Sequence, residues 1–465
     1  MKMPLTRWTP TCAVVLLRLA VSAPAAIIAT NFWPAPDATN VCPDTPLRIS
    51  FATPPRVNNR GLIRIYRADG TLVDTINLSL TAQTRVINGF TFTNYAVITN
   101  GCTASIFPHP ATLTNGQSYY VNIDSAIFSG TTGDAFAGIA TTNTWRFMTR
   151  PISPPPGATH LVAAADGSGD FCTVQGAVDF VPWGNTNRVR LSIRNGTYQE
   201  IVYVTNKHNL TFSGQDRKQT VLTYANNEAL NQKGNVSNYF RAMFGVSADG
   251  MAFENLTFSN STPKGNNGNS AQAEALRLDG DRHVIRNCDF YSYQDTVKFT
   301  GRVYVQDCYV EGDVDFMWGS GTVYYASCEI KTLTKGAYLT QIRNGSNVFG
   351  NVYVDCRFTC ADGVTNVALS RIQPNRFPYS HVAYINCAFG NHILPAGWVN
   401  QTSGADTSNL RFWEYQSVML DGVTPLATNS RVAFSRQLTA AEAAQMRDVT
   451  NILRGWLPQL PPQLD

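Results

Sequence analysis

The sequence predicts an all-β protein: a parallel β-helix preceded by a small β-sandwich. Three observations carry that expectation. A four-residue phrase recurs through the second half with a period near 20 residues. The first third is built of short alternating segments broken by turn residues. A proline-rich stretch, Pro151 to Gly157, separates the two.

The phrase reads Asn287-Cys288-Asp289-Phe290, Asp307-Cys308-Tyr309-Val310, Ser327-Cys328-Glu329-Ile330, Asp355-Cys356-Arg357-Phe358 and Asn386-Cys387-Ala388-Phe389. Asn209-Leu210-Thr211-Phe212 and Asn255-Leu256-Thr257-Phe258 share the frame without the cysteine. Cys288, Cys308 and Cys328 are each 20 residues apart, and the later steps are 28 and 31. A constant period with occasional longer coils is a solenoid signature. The phrase alternates polar and apolar residues, as a strand does. Stacked coils would place the cysteines in one inward column, where small thiols pack well. Same-phase residues on adjacent coils also sit near the Cα separation of a disulfide, so Cys308 and Cys328 are the expected pair.

The first region, 30–150, alternates over Leu47 to Phe51, Leu62 to Arg67, Thr71 to Leu78, Phe92 to Ile98 and Tyr119 to Ile123. Such a pattern suits a β-sandwich. Its opening Pro34 to Pro46 and closing Thr144 to Thr149 resemble bacterial immunoglobulin-like modules. Cys42 and Cys102 are the only cysteines there. They read either as a disulfide or as two unrelated thiols. Residues 151–157 read as a stiff linker, and 158–460 as the solenoid.

Composition narrows the partners. The 465 residues suit two or three domains, and 44% are hydrophobic against 15% charged. A net charge of +4 without a basic block argues against nucleic acid. Residues 1–26 read as a signal peptide: Lys2 and Arg7, an apolar run from Cys12 to Val21 interrupted by Arg18, then Ala23-Pro24-Ala25. No run is long enough for a membrane span. The expected location is therefore secreted, cell-surface or periplasmic, and the expected state a monomer. Cysteine and histidine spacing predicts no metal site.

Asp295 lies seven residues past Cys288, and Asp315 seven past Cys308. The two aspartates are thus in phase on successive coils. Carboxylates that close do not both ionise easily, so one becomes an acid and the other a base or nucleophile. Spacing alone suits a solvated ladder of aspartates equally well. Gln294 precedes Asp295, and Gln272 falls one coil earlier; amides there suit an oxyanion. Arg371, on a later coil, suits an ionised aspartate.

Several segments appear in the order of one family. They are Asp166 to Phe171, Thr173-Val174-Gln175, Gly196-Thr197-Tyr198-Gln199-Glu200, Gln272-Ala273-Glu274-Ala275-Leu276-Arg277, Tyr293-Gln294-Asp295-Thr296, Val314 to Gly319, Phe412 to Tyr415 and Gln437 to Ala443. From about His160 to Leu457 the chain resembles the pectin methylesterases. The resemblance implies a right-handed parallel β-helix acting on methylated polygalacturonate without cofactor or metal. It implies Asp315 as nucleophile, Asp295 as general acid and base, Gln272 and Gln294 at the oxyanion, and Arg371 orienting Asp315. Trp318 and Trp398 match family aromatics that stack on sugars. Phe316 and Met317 of the same box, with Lys298 and Gln373, complete the expected substrate contacts. Gln373 stands where the family has tryptophan, and Lys298 where plant members tend to have tyrosine. Lys298 reads either as a hold on galacturonate carboxylates or as a solvated charge. Glu200 and Glu414 read as structural.

The competing readings are a polygalacturonase-like hydrolase, a β-helix esterase or thioesterase for other acyl groups, and a non-catalytic carbohydrate binder. A polygalacturonase of the inverting type needs its carboxylates about 6.5–9.5 Å apart.

Overall fold

In the computed structural model, residues 26–80, 82–231, 240–265 and 271–459 are described. The expected signal peptide falls almost wholly outside them.

From His160 onward the chain coils through three parallel sheets of 11, 9 and 8 strands. Each complete turn contributes one strand to each sheet, in register with the strand one coil before, and the terminal coils supply only some of the three. Val303, Val305 and Gln306 pair with Val323, Tyr325 and Ala326, an offset of 20 residues. The 20-residue phrase is therefore one coil.

The first residue of the phrase makes the corner. Asn209, Asn255, Asn287, Asp307, Ser327, Asp355 and Asn386 all have φ between 52° and 59°. Left-handed backbone disfavours most side chains and is tolerated best by short polar ones, which explains why these positions read Asn, Asp or Ser. The next residue turns inward. Cys288, Cys308, Cys328, Cys356 and Cys387 are all buried. Like residues stack beside them: Tyr325, Tyr353 and Tyr384 at 4.6 and 5.0 Å, and Phe358 on Phe389 at 4.6 Å.

The disulfide expectations need correction. Cys42, Cys102, Cys308 and Cys328 are all free thiols. In the column, parallel strands carry their side chains in the same direction, and the thiols find carbonyl partners on their own coil or, as Cys328 does with Val305, on the coil before. The Cys308 thiol donates to the Gln306 carbonyl at 3.1 Å, and that of Cys328 to Ala326 at 3.3 Å. Cys102 sits exposed in a turn, whereas Cys42 is buried.

The first region forms two facing sheets. One orders Ala29–Trp33, Leu47–Phe51, Thr103–Ile106 and Val97–Asn100; the other orders Ala38–Val41, Arg146–Thr149, Ser118–Ile123, Leu62–Arg67 and Leu72–Asn77. Trp145, Ile49, Ile63 and Val121 fill the space between. The hairpin Gln83–Ile87/Phe90–Asn94 leaves this sandwich, and its Ile87 and Phe92 join the apolar core of the solenoid. Thr93 exchanges hydrogen bonds with the Asn231 side chain at 2.7 and 2.8 Å. The Asp44 carboxylate accepts from the Cys172 and Thr173 amides, at the N-terminus of helix Val174–Phe180. The sandwich is thus packed on the first coils, not merely tethered by residues 151–157. At the other end, the helices Ala440–Arg447 and Val449–Ile452 cover the outer face of the 11-stranded sheet through Met446, Ile452 and Leu453.

A corner residue should matter by conformation and not by contact. Asp307→Val forces a β-branched residue to φ 53° and should destabilise the protein by about 1–2 kcal/mol, read from urea unfolding. Asp307→Asn or Asp307→Gly should stay near wild type.

Candidate active site

The 8-stranded sheet carries the site. Lys298 pairs with Trp318, and Val297 with Met317, again an offset of 20. Asp295 and Asp315 share that offset, and the Asp295 amide donates to the Val314 carbonyl at 3.1 Å. Both aspartates adopt left-handed backbone, φ 64° and 49°. The strand Val314–Gly319 bulges at this point. Val314 faces Tyr338 and Met317 faces Thr340, so three steps on one strand match two on the next. A bulge inserts an unpaired residue and re-aims its side chain. Asp315 lies within it.

Arg371, on strand Ala368–Ile372, grips Asp315 with both arms. Its Nε donates to Oδ1 at 2.8 Å and its terminal nitrogen to Oδ2 at 2.6 Å. The guanidinium lies 4.3 Å over the Tyr338 ring, which fixes its plane. Burial pushes the Asp315 carboxyl up, and the Arg371 bonds and charge oppose that.

Asp295 stands in a different field. Arg241 reaches its Oδ2 at 2.6 Å. The same guanidinium makes three hydrogen bonds of 2.9–3.0 Å to Glu274 and also bonds the Gln272 carbonyl oxygen. One cation therefore serves two buried carboxylates, and Glu274, wholly buried, takes most of its donors. Burial raises Asp295 well above the carboxylate range; the Glu274 charge adds to it, Arg241 opposes it, and Asp315 adds again. Asp295 is the member of the pair that keeps its proton to higher pH.

The two glutamines come together. Gln272 and Gln294 form a parallel β-bridge on adjacent coils. The Gln272 carbonyl oxygen is held by Arg241. Trp318, 7% exposed, is ringed by the cations Arg343, Lys298 and Arg241 at 4.9, 5.5 and 5.6 Å.

Other expected substrate contacts are corrected. Phe316 and Met317 are fully buried, because the strand turns them into the solenoid core. Trp398 is 2% exposed and stacks on Phe412 at 4.5 Å, so it is packing. Lys298 is not a solvated charge: it is buried and pairs with Asp279 at 2.9 Å. Its ammonium is held below the usual lysine range by burial and by Arg277 beside it, against Asp279. Gln373 is half-buried and accepts from Arg376 at 3.3 Å. Glu200 accepts the Val174 and Gln175 amides, and burial pushes it up to about 7; Glu414 pairs with Arg431. Both are structural.

Sequence reading missed Arg241, Glu274, Arg343 and Tyr338. Only Glu274 left a trace, as a charge inside the apolar frame of Gln272 to Arg277. The other three come from distant coils and look like ordinary surface residues in one dimension.

Glu274→Gln removes the buried carboxylate that competes for Arg241 and so favours the ionised form of Asp295. An acid is active below its pKa and lost above it. The alkaline limb of kcat/KM on an ester substrate should therefore move down, by about 1–3 pH units. Trp398→Ala should cost about 3–5 kcal/mol in thermal unfolding, whereas Trp398→Phe should keep the wild-type KM.

A family model described as Pectinesterase matches residues 160–455. "Pectinesterase 31" of Arabidopsis thaliana is 33% identical over 287 residues, spanning 60% of this chain and 87% of that protein. "Pectinesterase 2" of Olea europaea is 32% identical, spanning 64% and 80%. Among solved structures, the pectin methylesterase from carrot is 26% identical with a TM-score of 0.56, covering 67% of this chain and 99% of that one. A pectin methylesterase solved with a bound hexasaccharide is 25% identical with a TM-score of 0.55, covering 66% and 100%. The chain belongs to the pectinesterase family and is a carboxylic ester hydrolase.

Proposed function

We propose that this pectinesterase is exported and hydrolyses the methyl esters of polygalacturonate through Asp315 as nucleophile. The observation that carries the reading is the bidentate Arg371 grip on Asp315, beside an Asp295 that holds its proton. Asp315 attacks the ester carbonyl carbon. The resulting oxyanion takes hydrogen bonds from the Gln272 and Gln294 amides. The intermediate collapses, and Asp295 gives its proton to the departing methoxide, which leaves as methanol. An acyl group remains on Asp315. Asp295, now ionised, takes a proton from water; the hydroxide cleaves the acyl bond and restores both aspartates. The product is free galacturonate carboxylate.

Trp318 and the cations around it suit a sugar ring with a neighbouring carboxylate. The signal-peptide pattern at residues 1–26 supports a secreted, surface or periplasmic protein. No helix among the described residues is long and apolar enough to cross a membrane. The alternating pattern of 30–150 supports an immunoglobulin-like module ahead of the solenoid.

Methanol release from highly methylated pectin is the test. Asp315→Asn should lower kcat by about 10³-fold or more, and Asp295→Asn should do likewise. New reducing ends in place of methanol, or an active Asp315→Asn, would overturn the proposal.

A further inference from the structure

The sandwich and the solenoid meet around two thiols. Cys42 directly follows the strand Ala38–Val41; Cys172 directly precedes Thr173, the N-cap of helix Val174–Phe180. They are 0% and 2% exposed. Their sulfurs lie within 4.8 Å of each other and of an Asp44 oxygen. The Cys42 sulfur also lies 3.8 Å from the Gly167 and Gly169 carbonyl oxygens, in the loop that leads into Cys172. The column thiols differ, because they belong to one repeating unit and each donates to a carbonyl of its own coil at 3.1–3.5 Å, with Cys328, Cys356 and Cys387 also reaching the coil before. Cys42 and Cys172 converge from two separate bodies of structure.

We propose that Cys42 and Cys172 form a disulfide that locks the sandwich onto the first coil. The oxidant is a small-molecule disulfide such as oxidised glutathione. One cysteine thiolate attacks a glutathione sulfur, and one glutathione leaves as thiolate. The second cysteine thiolate attacks the protein sulfur of that mixed disulfide and expels the other glutathione. Two S–H bonds become one S–S bond, and two electrons and two protons end on two glutathione thiols.

The Cys172 thiol is held up by its contact with Cys42 and by burial. Exchange therefore runs as the two units close, before both sulfurs lose solvent, and the finished bond is shielded from reduction. A metal fits the same atoms less well. The Asp44 oxygens already accept from the Cys172 amide and from the Thr173 amide and hydroxyl, at 2.7–3.0 Å.

The test uses the full chain in two preparations: exported to a bacterial periplasm, and refolded in a mixture of reduced and oxidised glutathione. Each is denatured without reductant, alkylated and mapped by mass spectrometry. The expected result is a Cys42 peptide joined to a Cys172 peptide, lighter than their sum by two hydrogens. Wild type unfolded, reduced and refolded in reductant should melt about 5 °C or more below the oxidised protein, and the double variant Cys42→Ser, Cys172→Ser should melt alike after either treatment. Alkylation of both cysteines in the refolded sample, or a metal ion retained in its native mass, would overturn the proposal. The refolded preparation does not depend on export or on esterase activity.

Discussion

The in-register parallel ladder is the constraint on which the molecule depends. Each coil rises by one inter-strand spacing, about 4.8 Å, and repeats the phase of the coil before. A corner residue in left-handed backbone closes each turn, from Asn209 to Asn386. The cysteine column and the stacked tyrosines follow from that repetition. So does the site. Two aspartates one coil apart cannot avoid each other, and two glutamines one coil apart pair through their backbones. The bulge between Val314 and Met317 breaks the ladder only where Asp315 must leave the core.

Repetition alone would make the two aspartates equivalent. Their partners make them unequal. Asp315 has a cation of its own in Arg371, held flat on Tyr338. Asp295 shares Arg241 with Glu274, which is more deeply buried and takes more of the guanidinium's donors. Two carboxylates on one cation leave one negative charge too many in a medium that stabilises charge poorly, so the proton settles on Asp295. The same arginine holds the Gln272 carbonyl oxygen. One side chain thus ties Asp295 to the Gln272 amide.

The N-terminal unit is part of this economy of contacts. Its hairpin adds Ile87 and Phe92 to the solenoid core, and Phe90 and Phe92 pack on Tyr203 and Phe240. The Asp44 carboxylate accepts from the backbone amides at the start of helix Val174–Phe180, which seals the first coil. The end of a solenoid exposes apolar surface unless something covers it. Here the helix and the hairpin share that task.

The sequence by itself determined the repeat, its 20-residue step and the shared phase of Asp295 and Asp315. These are one-dimensional facts: a coil of fixed length leaves its period in the chain. Arg371 and the glutamines were legible as well, through their ordered motifs. The tertiary structure decided what period cannot encode. It brought Arg241 from an earlier coil onto Asp295, and Arg343 from a later one onto Trp318. It turned Phe316, Met317 and Trp398 from expected sugar contacts into packing. It set Cys42 against Cys172 and not against Cys102. The reason is physical. Register along a strand is local and repeats in the sequence, whereas burial and charge partnership depend on which distant coils and loops meet in space.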